Sequence, residues 1–110
     1  DKNTLLLFVG DNGTDRDVTS TWNGQRIRGN KGFPTEFGTH VPGIAWWPET
    51  IKPSVNTHLT DFTDILPTIL ETAQVSIPND FHTDGHSFYK TLVGKSNSPH
   101  RNWVYCSYAP

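Results

Sequence analysis

Residues 4–13 read Thr-Leu-Leu-Leu-Phe-Val-Gly-Asp-Asn-Gly, and this stretch decides the fold. The apolar run 4–9 stops at a glycine. A run of this length that ends in a turn predicts a strand buried on both faces, as in the parallel sheet of an α/β protein. Such a strand needs neighbours on both sides, and 110 residues supply few of them. We therefore expect the chain to be a fragment of a larger protein.

The polar turn Gly10-Asp11-Asn12-Gly13 follows this strand directly. In open α/β sheets, ligands bind beyond the carboxyl ends of the strands. A carboxylate beside a carboxamide offers hard oxygens, which suit Ca²⁺ or Mg²⁺. Because Asn-Gly is also a common turn dipeptide, the residues leave a second interpretation open, a plain turn with a surface aspartate.

Composition excludes several classes of protein. The net charge is −2, and the Lys and Arg residues form no basic stripe, so nucleic acid is not an expected partner. The apolar run 5–9 is far too short to span a membrane. The single cysteine, Cys106, allows no intrachain disulfide.

A Gly-rich stretch over 10–38 carries few apolar residues, and we expect a long functional loop there. Within it, Lys31 stands between glycines, where a compact cation can meet an anionic substrate. Glu36 is a candidate to orient Lys31 or to pair with it. The alternative is an exposed loop with a solvated lysine.

The remaining elements are predicted from the spacing of apolar residues and from the positions of proline and glycine. Apolar residues recur at three- and four-residue spacing over about 62–74 and predict a helix, with Thr60 or Asp61 as its cap. Pro67 predicts a kink or a tight start to that helix. The other predicted elements are a strand over about 43–47 with Pro42 at its start, a loop over 77–84, a short helix over 85–93 and a strand over 103–108.

Six motifs occur in a fixed order along nearly the whole chain. They are Gly10-Asp11-Asn12-Gly13, Arg28-Gly29-Asn30-Lys31-Gly32, Glu36-Phe37-Gly38-Thr39-His40-Val41-Pro42, Trp47-Pro48, Asp64-Ile65-Leu66-Pro67-Thr68 and Asp84-Gly85-His86-Ser87. In this order the sequence resembles the later part of a sulfatase of the arylsulfatase A type, in the alkaline phosphatase superfamily. One departure lies inside the match, because His40 stands where that family usually has arginine.

The resemblance implies roles for three residues. Asp11 and Asn12 match two late ligands of the family's divalent ion, Ca²⁺ in preference to Mg²⁺. Lys31 matches the lysine that contacts the sulfate group. The family's nucleophile is a formylglycine made from the cysteine of a Cys-x-Pro/Ala-x-Arg motif, which Cys106 does not fit. That nucleophile and the early aspartate ligands are expected upstream of this chain.

The resemblance also implies a fold and an activity. The fold is α/β: a fragment of a sulfatase-like α/β sandwich, with a mixed sheet flanked by helices, running into the smaller C-terminal subdomain. Residues 1–76 would complete the catalytic domain and residues 77–110 would begin the subdomain. The parent would hydrolyse sulfate esters of small molecules or sulfated carbohydrates, in a secreted, periplasmic or lysosomal location. The chain alone is expected to be inactive, because it needs the upstream part for a complete site.

Two other classes of protein stay open. A phosphodiesterase or phosphonate hydrolase of the same superfamily also needs metal carboxylates and a cation for a tetrahedral anion. A non-catalytic calcium-binding or anion-binding module needs no nucleophile. The residues upstream of Asp1 would distinguish these classes through the nucleophile that they contain.

Overall fold

The structure is a computed structural model that describes residues 1–107. It contains both strands and helices, which confirms the α/β class. In chain order the elements are β1 (Leu6–Val9), β2 (Thr19–Trp22), β3 (Gln25–Arg28), α1 (Glu36–Thr39), β4 (Gly43–Trp46), a 3-10 turn (Phe62–Asp64), α2 (Ile65–Thr72) and α3 (Tyr89–Leu92). Two compact units are formed: Leu5–Trp46, here the strand unit, and Asp1–Thr4 with Trp47–Tyr105, here the helix unit.

In the strand unit, β1 and β4 form an antiparallel ribbon in which Leu6 lies opposite Trp46 and Val9 opposite Gly43. The prediction of a parallel strand buried on both faces is therefore wrong for the described residues. β1 has a single strand partner in the described chain. Phe8 is 57% exposed, and no hydrophobic residue is buried in the part of the chain described. The apolar run identified a strand correctly but not its neighbours.

The predicted strand over 43–47 is confirmed as β4, and Pro42 precedes it as expected. Proline has no N–H to give to a ladder, but its carbonyl remains free to accept. The Gly10 N–H donates to the Pro42 carbonyl at 3.0 Å, which extends the ribbon by one contact past Val9. The turn after β1 is thereby fixed to the start of β4.

The stretch 10–38 is not the irregular loop that was predicted, because β2 and β3 form a hairpin inside it. Trp22 lies opposite Gln25, which leaves Asn23-Gly24 as a two-residue turn. Both turn residues have positive φ, 49° and 77°, as a type I′ turn requires. The Asn-Gly dipeptide between Thr-rich and Ile-containing segments was the available sequence signal. The short helix α1 was missed in the same stretch.

In the helix unit, the predicted helix over 62–74 is confirmed as the 3-10 turn followed by α2. Asp61 is the cap, since its side chain accepts from the Thr63 N–H at 3.0 Å. Asp64 completes a capping box by accepting from the Asp61 N–H at 2.9 Å. The 3-10 geometry is the tight start that Pro67 predicted.

Pro67 has a second effect on the packing of this unit. It lies in the first turn of α2 and lacks the N–H that would bond the Thr63 carbonyl in a continuous helix. That carbonyl instead faces Gly85, where an added Cβ would lie 1.9 Å from the oxygen. The Asp-x-x-Pro-Thr motif and the Asp84-Gly85 motif therefore pack against each other through backbone.

The C-terminal predictions are partly wrong. The helix predicted over 85–93 is shorter, and α3 covers only Tyr89–Leu92. No strand forms over 103–107, and Tyr108, the last residue of the predicted strand, lies outside the described residues. This segment pairs with no strand of the described chain. Trp103 and Tyr105 are 70% and 78% exposed. No helix within residues 1–107 is long and apolar enough to cross a bilayer.

Candidate functional site

The turn that follows β1 presents two polar side chains. Asp11 is exposed and Asn12 is half-buried. Neither side chain makes a hydrogen bond or an ion pair with any described residue. The carboxylate and carboxamide oxygens are therefore free to serve as acceptors or ligands.

Close backbone approach fixes the far end of this turn. The Gly13 N–H donates to the Gly38 carbonyl at 2.9 Å. A Cβ at Gly13 would lie 2.4 Å from the Phe37 carbonyl oxygen, a distance that real Cβ atoms do not adopt. Gly13 is also buried. Only glycine permits the turn to lie this close to α1.

The segment 29–35, here the lysine loop, also lies against the chain that follows this turn. The Lys31 N–H donates to the Thr14 carbonyl at 3.0 Å. A Cβ at Gly29 would lie 2.1 Å from the Asp15 carbonyl oxygen, so glycine is required here as well. The backbone of Lys31 is thus one hydrogen bond away from the segment that begins with Asp11-Asn12. This bond links the backbones of the two segments, and no side-chain hydrogen bond or ion pair joins Lys31 to Asp11 or Asn12 in the described chain.

The Lys31 side chain is exposed and has no hydrogen-bond or ion-pair partner within residues 1–107. The expectation that Glu36 orients or pairs with Lys31 is wrong. Glu36 instead forms a short contact through Oε1 with His40 Nδ1, one turn away on α1. Helical i,i+4 spacing places these two side chains side by side, whereas Lys31 lies in a different segment.

The donor set at Asp11-Asn12 suits a hard divalent cation, but it is incomplete. Ca²⁺ takes six to eight oxygen ligands. Among residues 1–107, no group of three or more His, Cys, Asp or Glu side chains is placed to hold a metal. Asp11 and Asn12 alone would supply only part of the ligand set that such an ion takes.

A second polar centre lies in the helix unit, around the fully buried Asp64. Its carboxylate accepts from Arg101 Nε at 2.8 Å, from the His86 N–H at 2.7 Å and from His100 Nε2 at 3.1 Å, and Arg101 Nη2 makes a further, shorter contact. Burial by itself raises the pKa of Asp64, but the bonds donated by Arg101 and by the backbone outweigh it. The pKa therefore lies below its usual value.

Sequence reasoning missed Arg101 and His100 as partners of this centre. They are 37 and 36 residues away from Asp64 along the chain, and no local pattern marks them. Asp64 itself belongs to one of the six motifs, Asp64-Ile65-Leu66-Pro67-Thr68. The centre has a structural role, because the Asp64 carboxylate joins the start of α2 to His86, His100 and Arg101, all within the helix unit.

Comparison with known proteins identifies the family of this chain. The model of the Sulfatase family matches residues 1–75. An arylsulfatase of Hemicentrotus pulcherrimus is 31% identical over 105 residues, which cover 94% of this chain and 19% of that protein. The uncharacterized sulfatase YdeN of Escherichia coli (strain K12) is 36% identical, over 93% of this chain and 19% of the relative. Human arylsulfatase A is 34% identical, over 96% of this chain and 21% of the relative.

The chain thus spans about a fifth of the length of the curated relatives that it matches. The family match covers the whole strand unit, including the turn after β1 and the lysine loop. The chain belongs to the sulfatase family.

Proposed function

We propose that this chain supplies part of the active site of a protein that hydrolyses sulfate esters. Asp11 and Asn12 would serve as ligands of a divalent cation, and Lys31 would contact the sulfate group. One observation carries the proposal: the Lys31 N–H donates to the carbonyl of Thr14, which is two residues after Asn12 along the chain. A divalent metal ion and the lysine ammonium would then act on one anion.

Asp11 supplies a full negative charge and Asn12 a neutral carboxamide oxygen, a pair suited to Ca²⁺. When bound, a divalent cation polarises the ester oxygens and neutralises their charge. We propose that the remaining ligands and the nucleophile come from parts of the parent protein outside these 110 residues. By family membership alone, we also propose a secreted, periplasmic or lysosomal location.

Lys31 would act on the same anion from the other segment. Its ammonium is a compact charge with three donors on a flexible stem. Charge shifts onto the ester oxygens as the S–O bond breaks, and a cation placed there stabilises the transition state more than the ground state. Because the side chain has no partner within residues 1–107, no competing ion pair has to be broken first.

The test is steady-state hydrolysis of a chromogenic aryl sulfate by the full-length parent. Lys31→Ala is expected to lower kcat/KM by roughly 10²–10³, the loss typical of removing one such donor. Lys31→Arg should restore little, because a planar fork does not replace a point charge in a glycine-lined loop. Lys52→Ala removes an exposed lysine that makes no contact in the described chain, and it serves as the matched control.

Two results would contradict the proposal. A Lys31→Ala enzyme within about twofold of wild type would remove the sulfate contact, since RT ln 2 is only about 0.4 kcal/mol. Faster turnover of the corresponding aryl phosphodiester than of the aryl sulfate would assign the site to phosphate chemistry instead. Metal content, measured alongside, should be the same in all three variants.

A further inference from the structure

The lysine loop is closed by a side-chain hydrogen bond at its base. Asn30, the residue before Lys31, donates from Nδ2 to the Thr35 hydroxyl at 2.7 Å. Thr35 is the residue before α1, a position where a threonine hydroxyl usually caps the helix. Here the hydroxyl makes no capping bond. The contact with Asn30 has replaced the cap, and it joins the two ends of the segment 30–35.

Backbone contacts shape the inside of this segment. The Phe33 N–H donates to the Asn30 carbonyl at 3.1 Å, and the Thr35 N–H donates to the Phe33 carbonyl at 2.9 Å. Gly32 has a φ of 88°, which lets the chain reverse directly after Lys31. Lys31 therefore stands at the tip of a tight loop that the Asn30–Thr35 bond closes.

We propose that Asn30 and Thr35 are positioning residues that hold the loop so that Lys31 meets the sulfate group; the inference rests on the function proposed above. Lys31 has a long, exposed side chain with no contact of its own in the described chain, so its direction depends on the backbone beneath it. A charge stabilises a transition state fully only where it is held in place beforehand. The Asn30–Thr35 hydrogen bond, here the clasp, supplies that restraint without touching the substrate.

The experiment uses the full-length parent with an aryl sulfate substrate. Asn30→Ala and Thr35→Val each break the bond, and each should lower kcat/KM about 3- to 10-fold, the range that one ordinary hydrogen bond supports. Most of the loss should fall on kcat, since the contact that weakens is made chiefly in the transition state. Thr35→Ser keeps the hydroxyl and should stay within about twofold of wild type. Thr21→Val and Asn97→Ala, at exposed side chains without hydrogen bonds, are the controls.

A double-mutant cycle with Lys31→Ala separates positioning from mere stability. If the clasp acts through the lysine, Asn30→Ala should cost nothing more once Lys31 is gone. An equal further loss in that background would show a structural role and overturn the inference. So would an Asn30→Ala enzyme at the wild-type rate while Lys31→Ala is impaired. A Lys31→Ala enzyme at the wild-type rate would overturn the proposed function, and this inference with it.

Discussion

Asp11 and Asn12 are neighbours in one turn, yet their chemistry as ligands differs. A hard divalent cation depends more on a charged oxygen than on a neutral one. In the parent protein we expect Asp11→Ala to abolish metal binding and activity together, and Asn12→Ala to weaken both less. Metal content by elemental analysis and aryl sulfate hydrolysis, measured on the same preparations, check this.

Asp17→Ala is the matched control, because its carboxylate is exposed and makes no contact among residues 1–107. If Asp11→Ala and Asn12→Ala both keep full metal content and full rate, the segment is only a turn. Asp11 and Asn12 would then belong to a plain turn with a surface aspartate and not to a metal site.

At the scale of residues, the sequence singled out candidate site residues but did not predict the contacts of their neighbours. Asp11, Asn12 and Lys31 could be singled out because glycines flank them and a strand precedes them. The pairing of Glu36 with His40 was missed, because a carboxylate in a loop faces several cations and sequence spacing does not choose among them. Helical spacing would have chosen, had α1 been predicted.

Elements differ in how much of their structure is local. The cap and the apolar repeat of α2 lie within one short segment, so its position was predictable. The Asn23-Gly24 turn was equally local and should have been recognised. The direction and burial of β1 were not local, because a strand's neighbours are set by residues far along the chain. A run of apolar residues does not specify them.

The hydrogen bonds of the buried Asp64 carboxylate join separate segments of the helix unit. Arg101→Ala would leave a buried carboxylate without its cation, a change that costs about 3–5 kcal/mol in proteins. We expect a large fall in the thermal midpoint of the parent protein, measured by calorimetry. Lys2→Ala is the control: its ion pair with Glu49 is 79% and 68% exposed and should contribute little.

The same centre predicts a dependence on pH. The pKa of Asp64 is lower in the folded state than in the unfolded chain, where the pKa of an aspartate side chain is about 3.9. Asp64 therefore stabilises the fold above that pH, and the contribution is lost as the pH falls through the folded pKa. The difference in midpoint between wild type and Arg101→Ala should be full near neutrality and shrink below about pH 4. A difference that stays constant with pH would show that Asp64 is not its source.

At the scale of the whole molecule, the described chain buries no hydrophobic side chain. Apolar burial is the main force that stabilises a domain. We expect the isolated 110 residues to show no cooperative thermal transition, to bind a hydrophobic dye, and to have no aryl sulfatase activity, since no residue fits the nucleophile motif. A sharp melting transition would contradict the first expectation. Turnover that Cys106→Ala abolishes would show that Cys106 is the nucleophile.

The close approaches of the backbone at Gly13, Gly29 and Gly38 also limit which residues this chain can accept there. Even one extra methyl group at any of these positions would collide with a main-chain oxygen at 2.1–2.4 Å. Backbone oxygens cannot turn aside as a flexible side chain can, so a substitution has no single compensating change elsewhere. Any residue other than glycine at these three positions would therefore force the backbone of the strand unit to move. Substitutions are easier to accommodate in the β2–β3 hairpin, where all four side chains of β2 are exposed.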